Sequence, residues 1–274
     1  MKGLLIYDKA GKERNEWFIS RLIESAKDRG CELELVIYEG GIESSLSPLS
    51  DFAIVRTIHP KVNEMLEESG IPVFNNYATA KVANDKWQTV LTAAELGIET
   101  MATIPLSEDE DLDALIYPVV IKSVDGHGGS EVFLVKNAEE CKQTMSLLAN
   151  KRVIAQRLCD EPGVDMRVYV MGNEIIAAVK RTSKTDFRSN FSLGGCAELD
   201  TPTEDMQKAI DKLREALRFD FVGVDFIRNN GRWVLNEIED VVGTRMIYSL
   251  TNIDAADKYI DYILKKMSGQ KKNP

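Results

Sequence analysis

An Asn-Asn-Gly turn, residues 229–231, joins two mainly apolar segments near the carboxyl end of the chain, Phe221–Arg228 and Arg232–Ile238. Asn-Gly between such segments is a strong sequence indication of a β-hairpin, because both residues tolerate the positive φ that a tight loop demands. The hairpin carries three carboxylates, Asp225, Glu237 and Glu239. Residues two apart in a strand face the same side, so we expect the two glutamates to point together and the turn to bring the aspartate towards them.

Three carboxylates on one face of a sheet repel one another and raise each other's pKa, which makes the arrangement unfavourable without a cation. Mg²⁺ prefers oxygen ligands and is commonly held by one or two carboxylates together with substrate phosphates. The apolar neighbours Val222, Val224 and Phe226 indicate that the hairpin is buried. The residues alone leave two interpretations open, a magnesium site or an exposed acidic face.

The first 83 residues alternate between strand and helix patterns, which is typical of a small parallel α/β sheet with right-handed crossovers. Strands are predicted at Gly3–Tyr7, Leu33–Tyr38, Phe52–Arg56 and Ile71–Phe74, and helices at Glu16–Arg29 and Lys61–Glu68. The 274 residues suffice for two or three domains at roughly 100–200 residues each. We therefore expect an N-terminal α/β domain over residues 1–83.

Two further units are predicted, over residues 84–155 and 156–274. The first, a compact block suited to a mobile lid, has predicted helices at Lys86–Glu95 and Ala138–Leu148 and predicted strands at Val119–Ser123, Val132–Val135 and Arg152–Gln156. The second has predicted strands at Met166–Met171 and Glu174–Arg181 before the hairpin, and predicted helices at Thr203–Leu217 and Ala255–Met267. The predicted fold class is α/β, with a C-terminal α+β domain built on an antiparallel sheet.

Several cations lie at or near the ends of predicted elements, upstream of the hairpin: Lys86, Lys122, Lys180, Arg181 and Arg188. Lysine and arginine suit phosphate oxygens, and arginine can bind them bidentately. The glycine-rich turn Gly126–Gly129 joins two predicted strands, and its backbone N–H groups could close over phosphates. Taken singly, each cation also fits an ordinary surface position, and the turn also fits a flexible hairpin loop.

Composition argues against several classes of protein. The net charge of −10 opposes binding to a phosphate backbone, so no nucleic-acid partner is expected. No apolar run reaches the roughly 20 residues that cross a bilayer, and the start of the chain reads as a strand rather than a signal peptide, so no membrane partner is expected. The four cysteines form no C-x-x-C pair, which favours free thiols in a reducing cytoplasm. The G-x-S-x-G motif of serine hydrolases is absent from the sequence.

In their order and spacing, these pieces resemble the ATP-grasp superfamily, and most closely its RimK-like branch of amino-acid ligases. The resemblance covers residues from near 80 to near 265 and rests on Asn84–Lys86, Val119–Lys122, Gly126–Gly129, Gln156, Asp165–Arg167, Asp186–Asn190, Gly194–Gly195, Gly223–Asp225 and Glu237–Glu239. The Asp-Phe-Arg-Ser-Asn segment followed by paired glycines is the most specific of these. The resemblance favours the metal interpretation of the hairpin and implies an ATP-grasp fold with a lid subdomain.

The resemblance also implies roles for the matching positions. Lys86 and Lys122 would hold ATP phosphates, and Gln156, Arg157 and Leu158 would form the hinge strand that meets adenine. The nucleotide would further contact Asp165, Arg167 and Ser189. Arg188 and Asn190 would face the reacting phosphate, so that Arg188, Asn190 and Lys122 would be the catalytic residues. Asp225, Glu237 and Glu239 would hold Mg²⁺, with Mn²⁺ as the alternative ion.

The chain departs from the family pattern at three places. Arg157 stands where the family usually has glutamate, and Glu239 where it usually has asparagine. The family's Asn-x-x-Pro-Gly turn is replaced by residues 239–243, Glu-Asp-Val-Val-Gly. The arginines Arg56, Arg181 and Arg245 suggest an anionic substrate such as an amino acid.

The function implied by the resemblance is ATP- and Mg²⁺-dependent ligation of a small carboxylate to an amine through an acyl phosphate. Two alternatives stay open. One is an ATP-grasp kinase that phosphorylates a non-carboxylate acceptor, and the other is a nucleotide-binding sensor or partner protein without turnover, which the altered turn would favour. A homo-oligomer is compatible with each of them.

Overall fold

The computed structural model describes residues 1–40, 50–107, 109–189 and 195–270, except for the side chain of residue 270. Within these ranges the chain forms one parallel and two antiparallel sheets, with helices packed against them. The predicted α/β class is therefore confirmed. None of the helices in these ranges is both long and apolar enough to cross a bilayer.

The first sheet is parallel. Its segment contains β1 (Lys2–Asp8), α1 (Lys9–Arg14), α2 (Glu16–Asp28), β2 (Glu32–Tyr38), β3 (Phe52–Val55), α3 (Pro60–Glu68), β4 (Val73–Phe74) and α4 (Tyr77–Ala83). The strand order is β2-β1-β3-β4. Because all strands run the same way, Asp8 at the end of β1 and Arg56 just after β3 lie at the carboxyl edge, where parallel sheets commonly bind ligands.

The second sheet is antiparallel. Its segment contains α5 (Lys86–Glu95), β5 (Thr103–Leu106), a short 3-10 helix (Leu112–Ala114), β6 (Val119–Ser123), β7 (Val132–Val135), α6 (Ala138–Leu147) and β8 (Val153–Arg157). The strand order is β5-β8-β6-β7. One face packs on α6, where Cys141 is fully buried among Val119, Ile121 and Val135. The other face carries Lys122 and Gln156.

The third sheet has five antiparallel strands. Its segment contains β9 (Val164–Met171), β10 (Glu174–Thr182), β11 (Cys196–Leu199), α7 (Glu204–Leu217), β12 (Phe221–Asn229), β13 (Arg232–Glu239), α8 (Arg245–Leu250) and α9 (Ala255–Gln270). The strand order is β11-β10-β9-β12-β13. Helix α7 covers one face, and α9 covers the other face together with side chains of the parallel sheet.

Helix α7 shows how local sequence defines an element. Its N-cap is Thr203, whose hydroxyl accepts a hydrogen bond from the Met206 amide, and it ends at Arg218 with φ 54°. Met206, Ile210, Leu213 and Leu217 recur at helical spacing and are the buried face. The helix predicted at residues 203–217 therefore differs from the observed one only by the capping residue.

Several short elements were not predicted: α1, α4, α8, β5 and β11. Strand β5 contains Pro105 and is mostly exposed, so it has neither the alternation nor the composition of a typical strand. Helices of six or seven residues give too few turns for a clear apolar period. The division of the chain at residues 83 and 155 stays a prediction.

The predicted hairpin is β12–β13. Asn230 and Gly231 have φ of 51° and 70°, as a tight hairpin turn requires. Asp225 pairs with Glu237, but the next residue, Phe226, pairs with Leu235, so Asn236 is an extra residue in β13. This β-bulge was not predicted, and it lies beside the carboxylates.

Candidate active site

An open cleft of about 390 Å³ lies where the three sheets approach one another. Its volume falls in the range of small-molecule sites, about 300–1,000 Å³. Among the predicted site residues, the cleft is lined by Lys86, Lys122, Gln156, Arg157, Leu158, Asp165, Arg188, Ser189, Glu237 and Glu239. Asp225 and Arg167 lie buried beneath this lining, and Asn190 falls outside the described residues.

The carboxylates converge at one end of the cleft. One oxygen from each of Asp225, Glu237 and Glu239 lies within 4.8 Å of the others. Strand pairing explains this, because Asp225 is opposite Glu237 and Gly223 is opposite Glu239 on the same hairpin. The donor set is oxygen only, which fits Mg²⁺ or Mn²⁺. Metal binding itself stays a prediction.

Two arginines already bind the buried carboxylate. Arg167 lies opposite Asp225 on the neighbouring strand β9, and its Nε and Nη2 each donate to one oxygen of Asp225 at 2.7 Å. The same Nη2 donates to Glu239 at 2.6 Å. Asp225 is only 1% exposed. The Arg167 guanidinium supplies the positive charge between Asp225 and Glu239 that a metal ion would otherwise supply.

Arg181 is the second partner. Its Nη2 donates to Asp225 at 2.8 Å, and its guanidinium also binds both oxygens of Asp165, which it opposes on β9, at 2.5 and 2.7 Å. Arg181 is only 3% exposed. The suggestion that Arg181 binds an anionic substrate is not supported, because the guanidinium is buried between two aspartates.

The pKa values reflect this network. Burial alone would raise the pKa of Asp225, but the charges of Arg167 and Arg181 outweigh it and lower the pKa to about 2. For Glu239, burial raises the pKa, Arg167 opposes the rise, and the charges of Asp225 and Glu237 add to it. Burial is therefore the main reason that the charged form of Glu239 is disfavoured, and a divalent cation would stabilise that form.

Two lysines lie close to β13, the strand that bears Glu237 and Glu239. Lys86 is the first residue of α5, just after the N-cap Asp85. Its ammonium lies 3.7 Å from Glu237 and donates to the Gly126 carbonyl. Lys122 is buried in β6, and its ammonium donates to Gln156 Oε1 at 2.7 Å and to Asn236 Oδ1 at 3.1 Å. Burial lowers the pKa of Lys122 to about 8.

Arg188 joins the loop after β10 to the glycine-rich turn. It donates from Nη1 to the Gly129 carbonyl at 2.7 Å and forms an ion pair with Asp186 at 2.8 Å. Its neighbour Ser189 is buried. Both ends of the Gly126–Gly129 turn are thus held through carbonyl oxygens by cations that were predicted to bind phosphate.

The predicted hinge is only partly available to a nucleotide. Arg157 is exposed at the end of β8, and its backbone N–H already donates to the Ala102 carbonyl at 2.8 Å. A backbone contact to adenine at this position would therefore use the Arg157 carbonyl or the backbone of Leu158, which lies just beyond the strand.

The altered turn after Glu239 is firmly held. Asp240 is buried and accepts a hydrogen bond from Asn84 Nδ2 at 3.1 Å, and Asn75 donates to its carbonyl at 3.1 Å. Arg56 donates to the Val242 carbonyl at 2.8 Å. Side chains of the first 84 residues thus replace the rigidity that proline gives the family's turn.

Sequence reasoning missed other residues that line the cleft, including Asp8, Arg14, Asn15 and Asn236. Asp8 and Asn15 flank α1, whose six residues are too short for a periodic pattern. Asn236 lies between Leu235 and Glu237, and strict alternation would point it away from the glutamate. Only the bulge brings both to the same side.

The sequence model of a family described as the RimK-like ATP-grasp domain matches residues 83–263. A protein of Mannheimia succiniciproducens named "Probable alpha-L-glutamate ligase" is 28% identical over 212 residues, which are 74% of this chain and 71% of that protein.

Two solved structures share the fold. A RimK domain protein ATP-grasp from Sphaerobacter thermophilus superposes with a TM-score of 0.71 at 21% identity, covering 96% of this chain and 100% of that one. D-alanine–D-alanine ligase from Bacillus anthracis, complexed with ATP, has a TM-score of 0.76 at 17% identity, covering 99% of each chain. At these identities the likeness shows the fold alone, and it confirms the predicted ATP-grasp fold.

Proposed function

The chain belongs to the RimK-like ATP-grasp family, and from that premise we propose that it is an ATP-dependent ligase that joins a carboxylate to an amine. The observation that carries the proposal is the meeting, in one cleft, of three carboxylates with cations suited to phosphate. The ligase name of the relative at 28% identity supports the same class of reaction.

The proposed metal site is the carboxylate cluster. Asp225, Glu237 and Glu239 would hold Mg²⁺, or Mn²⁺ as the alternative, because their oxygens are close and their mutual repulsion favours a cation. When bound, the metal supplies positive charge to phosphate oxygens during phosphoryl transfer. Arg167 must first give up its contact with Glu239.

The cations would bind the phosphates. Lys86 and Lys122 line the cleft close to the strand that bears Glu237 and Glu239, and Arg188 lines it from the loop after β10. Lys86 and Arg188 now donate to glycine carbonyls, which are weaker acceptors than phosphate oxygens. Phosphate binding would therefore replace these contacts and let the glycine-rich turn rearrange over the nucleotide.

The proposed reaction has two steps. An oxygen of the substrate carboxylate attacks the γ-phosphorus of ATP, the bond to the β-phosphate oxygen breaks, and ADP and an acyl phosphate result. The amine then attacks the acyl carbon, inorganic phosphate leaves, and the nitrogen loses a proton to give the amide. Lys122 and Arg188 would stabilise charge on the transferred group, and closure of the glycine-rich turn would exclude water.

An amino acid is the first substrate class to consider. The relative's name contains glutamate, and the wall of the cleft beside the parallel sheet has two exposed arginines, Arg14 and Arg245. Guanidinium groups bind carboxylates well. A small-molecule acid and amine are thus the proposed partners, and a cytoplasmic location and a homo-oligomer stay predictions.

The test is release of ADP from Mg-ATP with amino acids supplied singly and in pairs, beside the variant Asp225→Asn. We expect one acid–amine pair to drive release, and the variant to lose it by a factor of about 100 or more, as losses of transition-state stabilisation of this kind do. Thermal unfolding checks that the variant is folded.

The alternatives give different results. A kinase would release ADP with a single acceptor and form no amide. A nucleotide-binding sensor, which the altered turn at residues 239–243 favours, would bind Mg-ATP and release no ADP with any pair of amino acids. Wild-type activity in folded Asp225→Asn would contradict the metal assignment.

A further inference from the structure

The ammonium of Lys122 has three N–H donors, and two of them are used within the chain. One donates to Gln156 Oε1 at 2.7 Å and another to Asn236 Oδ1 at 3.1 Å. Lys122 is 8% exposed and lines the cleft. These two acceptors fix the direction of the remaining donor, which has no hydrogen-bond acceptor among the residues that the structure describes and can serve a ligand in the cleft.

Both acceptors are neutral amides. A carboxylate in their place would neutralise the ammonium, whereas an amide oxygen accepts the hydrogen bond and leaves the charge available for an anion. The acceptors also belong to different sheets, since Gln156 lies on β8 beside Lys122 and Asn236 lies on β13. Of the two, Asn236 is therefore the one that ties the lysine to the sheet of the carboxylates.

The bulge places Asn236 in this position. In a regular strand, Asn236 and Glu237 would face opposite sides of the sheet. Because β13 has one more residue than β12 between the pairs Phe226–Leu235 and Asp225–Glu237, both side chains line the cleft. Bulges commonly redirect a side chain beside an active site.

We propose that Asn236 is a positioning residue that holds the Lys122 ammonium at a set distance from the carboxylate cluster and directs its remaining N–H at a nucleotide phosphate. The inference rests on the proposed function, because it requires that the cleft bind ATP. The contact between Lys122 and Asn236 joins the antiparallel sheet of β5–β8 to the strand that bears Glu237.

The experiment measures the dissociation constant of Mg-ATP by calorimetry for the wild type and for Asn236→Leu, which keeps the size of the side chain and removes the acceptor. We expect binding to weaken about tenfold, the value of one hydrogen bond to a charged group. The matched control is Asn229→Leu, a half-buried asparagine on the same hairpin and outside the cleft, whose affinity should stay at the wild-type value.

A double-mutant cycle separates positioning from a general structural effect. In a Lys122→Met background, Asn236→Leu should weaken Mg-ATP binding no further, because Asn236 acts only through the lysine. Thermal unfolding of every variant checks folding, and Asn236→Ser replaces Asn236→Leu if the latter does not fold.

The outcomes are distinct. Two results would overturn the inference and leave the proposed ligase intact. One is a wild-type affinity of Asn236→Leu for Mg-ATP, and the other is that Asn236→Leu weakens Mg-ATP binding as much in the Lys122→Met background as in the wild type. A wild-type chain that binds no Mg-ATP would overturn both. Loss only in the presence of Lys122 supports the inference, even if no amino-acid pair yet drives ADP release.

Discussion

Asp225 accepts hydrogen bonds from two buried guanidinium groups, and one of these, from Arg167, also bridges to Glu239. The two arginines differ in what else they bind. Arg181 binds Asp165 through both of its oxygens and so has a second partner within the sheet, whereas Arg167 lies between carboxylates proposed to bind metal. Arg167 contacts two of the three proposed metal ligands and Arg181 only one, so Arg167 is the stronger competitor of a metal ion.

We predict that Arg167→Met tightens binding of Mn²⁺ in the absence of nucleotide by about tenfold or more, because a positive charge beside the site is removed. Electron paramagnetic resonance of free Mn²⁺ measures this without turnover. The matched control is Arg228→Met, since Arg228 lies on β12, the strand that bears Asp225, but pairs with Glu161. Unchanged or weaker Mn²⁺ binding in Arg167→Met would contradict the competition.

Lys122 gives a prediction about pH. Its pKa is about 8 in the folded chain, against 10.5 for an unperturbed lysine, because burial disfavours the charged form. Between these values the unfolded chain binds more protons than the folded chain, so the lysine's contribution to the free energy of unfolding rises with pH.

We therefore expect the difference in free energy of unfolding, wild type minus Lys122→Met, to increase by about 2–3 kcal/mol from pH 7 to pH 10. Using the difference removes the contributions of other titrating groups and the fixed effects of the substitution. Urea unfolding at several pH values measures it. A difference that stays flat, or that falls with pH, would show that folding does not lower the pKa of Lys122.

At the scale of elements, the hairpin β12–β13 depends on a glycine for its place in the site. A Cβ at Gly223 would lie 2.7 Å from Val242 Cγ2 and 3.4 Å from Arg167 Cδ. Val242 is fully buried, so it has little room to move. The absence of a side chain at Gly223 is what lets the altered turn and the arginine pack against the strand together.

Gly223→Ala should lower the free energy of unfolding by about 1–3 kcal/mol, the usual cost of overpacking, and should reduce ADP release by displacing Arg167 and the turn. Denaturant unfolding and the ADP assay measure the two effects. Gly243→Ala serves as the control, since none of the described residues has an atom within 4 Å of its Cβ position. Equal free energies of unfolding of the two variants would show that the turn at Val242 can move to accommodate the added methyl group without a loss of stability.

At the scale of the whole molecule, the cleft takes its walls from all three sheets. The parallel sheet contributes Asp8 and Arg56, the four-stranded antiparallel sheet Lys122, and the five-stranded sheet Glu237 and Glu239. A nucleotide in the cleft would therefore contact segments far apart in the chain. The lid role predicted for the second sheet stays a prediction.

Elements with a clear apolar pattern could be predicted from the sequence. Helix α5 and strands β6 and β7 have the predicted bounds, because each has a clear apolar pattern between glycine or polar boundaries. Short elements such as α8 and β5 could not, since their conformation depends on the neighbours they pack against. The mostly exposed β5 forms because it pairs with β8.

The sequence by itself determined that Glu237 and Glu239 face the same side and that a tight turn folds their strand back along Asp225, because a tight turn and a two-residue strand period are local properties. Only the structure shows the bulge at Asn236, which sets Asp225 opposite Glu237 and so brings the three carboxylates together. Only the tertiary structure decided that Arg167 and Arg181 pair with the aspartate, since this depends on β9 lying between β10 and β12. It also decided that Asn236 faces Lys122, because a bulge and the approach of a second sheet are set by long-range packing. Local periodicity carries no information about which strand becomes a neighbour, and for that reason the partners of the carboxylates had to come from the fold.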